Sequence, residues 1–181
     1  TTKTDAIIQE KNGEPTVDKK VQEDSTNKYG ASNTADIGQK VNFETTIKAQ
    51  EGAENYVLHD KMSDGLTFND RSVTVTITKG TPSATTDVET TRYTLQKQGD
   101  SVAAPTDDCT FELVFDQAFC GTLEENDVIT VSYSAILNEK AVIAGEGNKN
   151  ETWLSYGDAN KTTHKKTTTK TYSISVFKYV G

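Results

Sequence analysis

At 181 residues with a formal net charge of −8, the chain is long enough for one large β domain with its own core, and its acidity disfavours nucleic acid or an anionic membrane as partner. No apolar run approaches the roughly 18 residues needed to span a bilayer, and Thr1-Thr2-Lys3-Thr4 lacks the charged and apolar regions of a signal peptide, so the chain reads as a mature or excised fragment. Hydrophobic residues are only 33% of the total, but they gather in alternating runs, which excludes general disorder.

Residues 1–14 hold few apolar positions beyond Ala6-Ile7-Ile8 and read as a linker. Alternation begins at Pro15-Thr16-Val17-Asp18-Lys19-Lys20-Val21, where Lys19 shares a strand face with Val17 and Val21. Val41 to Ile47 continues the period of two. Tyr56 to Met62 follows with Asp60 on its apolar face, and Ser63-Asp64-Gly65 marks a turn. Val73 to Ile77 is another strand, closed by Lys79-Gly80-Thr81-Pro82. The stretches 85–91 and 98–108 read as polar loops around a strand containing Tyr93 and Leu95.

Cys109 and Cys120 flank Phe111 to Phe115 and are the only cysteines. Their spacing fits a disulfide across the end of a hairpin in an extracellular setting. The alternative is two separate thiols, with Cys109 a small core residue beside Phe111 and Leu113. Glu124-Glu125-Asn126-Asp127 lacks the spaced oxygen ligands and turning glycine of a calcium loop and reads as a solvated turn. Ile129 to Ala135 alternates, Gly145-Glu146-Gly147-Asn148 turns, and Asn150 opens the strand Asn150-Glu151-Thr152-Trp153-Leu154-Ser155-Tyr156. The polar, β-branched run 162–171 suits an extended linker or exposed edge strand. Tyr172 to Val180 alternates again, as the first strand of a following module or the last strand of this one.

No convincing long amphipathic helix interrupts these strands, so the expected fold is an all-β, immunoglobulin-like antiparallel sandwich over residues 15–160, followed by a linker and strand at 161–181. A lysine aimed at such a core must be paired or neutral. Burial lowers a lysine pKa and raises that of an aspartic acid, so Lys19 and Asp60 can coexist as amine and protonated carboxyl. The amine is then a nucleophile. With an asparagine carboxamide alongside, the acid can polarise its oxygen and shuttle protons while ammonia leaves, producing a Lys-Asn isopeptide bond. Asn150 and Asn148 share the parity required of that asparagine.

The words Pro15 to Val21, Leu58-His59-Asp60-Lys61-Met62-Ser63-Asp64-Gly65-Leu66-Thr67-Phe68, Ile129 to Asn138 and Gly147 to Tyr156 occur in the order found in one family. Over residues 15–157 the chain resembles the isopeptide-forming D2 domain of Gram-positive, sortase-assembled pilins, an A-type collagen-adhesin variant of the immunoglobulin-like sandwich. The resemblance implies a bond between Lys19 on the first strand and Asn150 on the last, with Asp60 as catalytic acid. It favours Asn150 over Asn148 by the position of Leu154 and Tyr156. It further implies a cell-wall-anchored, extracellular protein whose partners are other pilin subunits or adjacent domains of the same chain. Where the family carries a Tyr-Pro-Lys-Asn-like motif for sortase, this chain has Ile8-Gln9-Glu10-Lys11-Asn12, of which only Lys11-Asn12 matches, so Lys11 reads as a linker lysine. Tyr172 to Val180 resembles the opening strand of a B-type domain, whose crosslinking lysine falls at Lys178.

The alternative function is an adhesin module that presents loops such as 98–108 to a host glycan or matrix protein. Turnover catalysis has no motif in its support: no phosphate loop, no Gly-x-Ser-x-Gly elbow and no Cys-His arrangement. No cofactor is implied. His59 and His164 read as surface histidines outside any zinc spacing, so no metal site is expected. Asn150-Glu151-Thr152 and Asn160-Lys161-Thr162 match the glycosylation sequon. In the first case that requires Asn150 in solvent, opposite to what the crosslink requires.

Overall fold

The computed structural model describes residues 13–172, and within them nearly all regular structure is strand. One sheet contains, in spatial order, β2 (Lys28–Gly30), β1 (Thr16–Glu23), β4 (Lys40–Lys48), β10 (Val128–Leu137), β6 (Leu66–Lys79) and β7 (Ala84–Asp87). The other runs β3 (Ser32–Thr34), β13 (Lys165–Lys170), β11 (Asn148–Tyr156), β5 (Val57–Met62), β9 (Phe111–Phe115) and β8 (Tyr93–Lys97), with β12 (Asn160–Lys161) paired to β11. Every pairing is antiparallel except β13 with β3.

The alternation read in the sequence becomes the inner faces of the two sheets. Val17, Lys19 and Val21 of β1 are buried, as are Phe43 and Ile47 of β4, Ile129, Val131 and Tyr133 of β10, Leu58 of β5, Phe111 and Leu113 of β9, and Leu154 of β11. Because side chains alternate between faces, one residue of slip on β1 would expose both valines, so the pattern fixes the register. At about 25 cal/mol per Å2 of apolar surface, each such side chain contributes on the order of 2 kcal/mol.

One loop region differs from the sequence reading. Residues 84–87 form β7, an exposed edge strand on β6, because its ladder with Thr76 to Lys79 supplies the pairing that its polar side chains do not advertise. Thr90–Arg92 is a single 3-10 turn, and the one short helix, α1 (Gln117–Cys120), is capped by Asp116 accepting from the Phe119 amide. Residues 98–108 are a loop, as expected.

The C-terminal boundary also moves. Residues 165–170 are neither linker nor free edge: β13 lies between β11 and β3, hydrogen-bonded to both, with Thr167 and Thr169 buried against the core. The sandwich therefore extends beyond residue 160, and β11 is not its last strand. Lys11, Lys178 and the stretch 173–181 lie outside the described residues.

The cysteine pairing is corrected as well. Cys109 and Cys120 are both buried free thiols. The segment between them is β9 and not a hairpin end. Its five residues, at about 3.3 Å each, hold the two cysteines well beyond the roughly 7 Å that a disulfide can bridge. Burial pushes both thiols up in pKa, Cys109 further because it also faces Asp107.

Candidate functional site

Lys19 comes from the middle of β1, opposite Thr45 of β4, and crosses the space between the sheets. It is only 4% exposed, and its Nζ lies 2.9 Å from Asp60 Oδ2 on β5 of the facing sheet. Neither side chain reaches solvent. Tyr133, one row along from Lys19, completes the contact: its hydroxyl donates to Asp60 Oδ2, accepts from the Lys19 amine, and lies 3.0 Å from Thr45 Oγ1. The wall is aromatic. Phe43 and Phe111 pack on Tyr133 with ring centroids at 5.7 and 5.1 Å, and Phe68 stacks on Phe111 at 4.3 Å.

In this dry setting both ionisations shift toward the neutral forms. Burial lowers the Lys19 pKa, opposed only in part by the Asp60 charge, and raises that of Asp60 against the pull of Lys19, Tyr133 and Asn150. Tyr133 is pushed well above its usual range, again chiefly by burial, so its hydroxyl keeps its proton. Both shifts run toward an uncharged amine beside a protonated acid.

Hydrogen bonding distinguishes the two candidate asparagines. Asn150 and Asn148 both sit on the inner face of β11, at 0% and 1% exposure. Asn148 is fully occupied: its Oδ1 accepts from the Val142 amide at 2.8 Å, and its Nδ2 donates to the carbonyls of Val142 and Thr169. Gly65 makes room for it, since a Cβ there would stand 2.5 Å from Asn148 Oδ1. Asn148 is thus a brace for the turn before β11. Asn150, by contrast, has neither carboxamide atom hydrogen-bonded, although it lies close enough to Asp60 and Tyr133 to lower both their pKa values. Asp60 Oδ1 is likewise without a partner, while Oδ2 serves Lys19 and Tyr133.

Cross-strand pairing explains the proximity. Thr152 is opposite Asp60 and Asn150 opposite Met62, which places Asn150 diagonally beside Asp60 on the same face. Gly147, with φ +73°, turns the chain into β11 at a point where a Cβ would stand 2.7 Å from Thr168 Cγ2. The full burial of Asn150 also rules it out as a glycan acceptor, whereas Asn160 is exposed.

Tyr133 and Thr45 were not singled out in the sequence. Alternation put both on inward faces, but nothing in it indicated where their hydroxyls lead. A sharper sign is the bulge in the β10–β6 ladder between Ser132 and Ser134, since bulges gather beside functional sites. His59 is the larger surprise. It is buried rather than superficial, its ring stacked on Trp153 at 5.1 Å, with His164 on the other face of the indole at 4.2 Å. Its Nδ1 lies 3.1 Å from Asp107 and 3.3 Å from Glu112. The turn at 124–127 also has one member out of solvent: Asp127 is buried and paired with Lys79 at 2.6 Å.

A two-sheet, almost wholly antiparallel sandwich with a polar cluster sealed between its sheets belongs to the immunoglobulin-like structural domains, and comparison narrows the class. Residues 37–161 match the family model for Gram-positive pilin backbone subunit 2, Cna-B-like domain, and the chain belongs to that family. The matching model describes a B-like domain where the sequence words suggested the A-type variant; the sandwich is common to both. Among solved structures, the chain resembles the pilus backbone RrgB of Streptococcus pneumoniae, with TM-score 0.59 and 22% identity over 81% of this chain and 32% of that one. It also resembles the T6 backbone pilin of serotype M6 Streptococcus pyogenes, with TM-score 0.55 and 22% identity over 87% and 36%. A third is the major pilin BcpA of Bacillus cereus, with TM-score 0.61 and 14% identity over 93% and 46%. The chain thus spans about a third to under half of these pilins. Comparison with curated proteins found no match.

Proposed function

We propose that this chain is a load-bearing segment of a Gram-positive pilin, in which Lys19 and Asn150 become joined by an isopeptide bond that forms once, during folding. The observation that carries this reading is the Asn150 carboxamide: fully buried, without a hydrogen-bond partner, and beside a lysine–aspartic acid pair whose burial favours the neutral forms.

The neutral Lys19 Nζ attacks Asn150 Cγ while the Asp60 carboxyl, through its unengaged Oδ1, donates its proton toward the carboxamide oxygen. The tetrahedral intermediate passes an amine proton to the Asp60 carboxylate, which relays it to the departing nitrogen, and on collapse the oxygen gives its proton back to Asp60. One C–N bond forms, one breaks, and one ammonia leaves. Tyr133, holding Asp60 Oδ2 and touching the amine, keeps donor and nucleophile in register. Enclosure by the aromatic wall supplies proximity and excludes water, which would otherwise charge the amine.

The product is a covalent tie between β1 in one sheet and β11 in the other. Placed outside the cell in a cell-wall-anchored fibre built by sortase, with further pilin subunits or domains as neighbours, such a tie carries tension across the sandwich and suppresses the openings that proteases need. Intact mass of the purified protein tests the bond: the wild type should be lighter than its sequence by one ammonia, and Lys19→Ala, Asp60→Ala and Asn150→Ala should not. A wild type at full sequence mass would overturn the proposal.

A further inference from the structure

On the outer side of the sheet that carries Asp60, away from Lys19, two carboxylates and a thiol converge on one imidazole nitrogen. His59 Nδ1 lies 3.1 Å from Asp107 Oδ2, 3.3 Å from Glu112 Oε1 and 3.7 Å from Cys109 Sγ. The donor atoms of His59, Asp107 and Cys109 all fall within 4.8 Å of one another. His59, Glu112 and Cys109 are buried, and Asp107 lies at the solvent side.

No buried side-chain nitrogen or oxygen of this group lacks a hydrogen-bond partner, but acceptors crowd Nδ1. Nδ1 carries at most one hydrogen, while two carboxylates and a sulfur face it. Glu112 Oε1 already accepts from the Thr106 amide and hydroxyl at 3.1 and 2.8 Å, and Asp107 Oδ1 accepts from the Cys109 amide at 3.0 Å. Those bonds leave Asp107 Oδ2 aimed at the imidazole. The other ring nitrogen, Nε2, is 2.9 Å from Ser155 Oγ, and Trp153 holds the ring plane. A ring whose far nitrogen is bound to a neighbour and whose near nitrogen faces anionic groups is oriented as a metal-binding histidine is.

We infer that His59, Asp107 and Cys109 form a binding site for a divalent transition cation of zinc's character, with Glu112 beside the fourth position. In a tetrahedral zinc centre with bonds of about 2.0 Å to nitrogen and oxygen and about 2.3 Å to sulfur, neighbouring ligand atoms stand roughly 3.3 to 3.6 Å apart, near the 3.1 and 3.7 Å that separate Nδ1 from Asp107 and Cys109. The mixed imidazole, thiolate and carboxylate set suits zinc or cobalt and does not suit calcium or magnesium, which take oxygen ligands. On binding, Cys109 releases its thiol proton to solvent and no electron is transferred. The site joins the 98–108 loop to β5 and β9, and so would anchor the longest loop of the sandwich.

Chelator-treated full-length protein titrated with cobalt(II) tests this directly. Expected are one equivalent bound, tetrahedral d–d bands and a sulfur-to-cobalt charge-transfer band. Cys109→Ser should abolish the charge-transfer band, and Asp107→Asn, at the exposed ligand where folding is least at risk, should weaken binding. Ser155→Ala, which removes the partner of Nε2, should cost about 10- to 100-fold in affinity. Cys120→Ala should change nothing. Zinc should displace the cobalt and raise the melting temperature of the wild type but not of Asp107→Asn. Failure of wild type to bind one equivalent, an octahedral cobalt spectrum, or a charge-transfer band that survives Cys109→Ser would overturn the site and leave His59 a hydrogen-bonded core histidine.

Discussion

Lys19 and Asp60 each hold the other's charge state, and removing one exposes the cost of the other. In Lys19→Met the amine that draws the Asp60 pKa down is gone while burial, the largest influence, remains, so the carboxyl rises further above its ordinary 3.8. A group whose folded pKa is raised contributes stability that is complete below its unfolded pKa and lost as pH climbs through the folded one. Lys19→Met should therefore lose stability relative to Lys19→Met/Asp60→Asn as pH rises above about 4. Urea midpoints of the two variants across that range check this, and parallel curves would refute it. The two asparagines should separate just as cleanly. Asn148→Ala, which deletes three hydrogen bonds around the turn, should destabilise by about 1–3 kcal/mol yet leave the ammonia loss intact. Asn150→Ala should abolish that loss. Tyr133→Phe, keeping the ring and removing the hydroxyl that positions Asp60, should slow bond formation in a refolding time course followed by mass, without preventing folding.

At the scale of elements, what could be read from the sequence was whatever buried carbon. β1, β4, β5, β9, β10 and β11 were visible because valine, leucine, isoleucine and aromatic residues alternate along them, and the same parity put Lys19, Asp60 and Asn150 inward. β13 was read as a linker or exposed edge because its buried face is threonine, which reads as polar, and β7 was missed because it is exposed throughout and exists by its ladder to β6. Parity also misplaced His59. It points to the outer face of its sheet, where the sequence predicts water, but Trp153 and the residues before β9 cover that face. The choice between Asn150 and Asn148 could not come from parity, which they share; the resemblance favoured Asn150, and the hydrogen bonds show that the turn before β11 already uses Asn148. β13 makes its own prediction. Thr167 and Thr169 have buried hydroxyls without partners, and an orphaned hydroxyl costs about 1–3 kcal/mol. Thr167→Val, similar in shape, should raise the melting temperature slightly without altering the mass, and a clear loss of stability would show the hydroxyl to be bonded.

Over the whole molecule, position 150 matters because β11 is not the final strand. A bond from Lys19 to Asn150 encloses β1 from that residue onward, every element from β2 to β10 and the start of β11, while most of β11, together with β12 and β13, remains outside it. Tension applied at the two ends would load the bond itself and, outside it, the start of the β1–β4 ladder at Thr16 to Asp18 and the ladders of β11 with β5, β12 and β13 and of β13 with β3. Closing a loop on the order of 100 residues stabilises by about 4–5 kcal/mol on the chain-entropy model, so Asn150→Ala should lose an amount of that order in reversible unfolding. Under force the contrast should be qualitative. Wild type should extend only by the few residues before Lys19 and those after Asn150, with β13 peeling first, whereas Asn150→Ala should release the full contour length of the sandwich. Single-molecule extension of both proteins between fixed handles measures this. Equal contour lengths would show that the fold bears load without the bond, and a wild-type release including residues between 19 and 150 would show that the tie is made elsewhere.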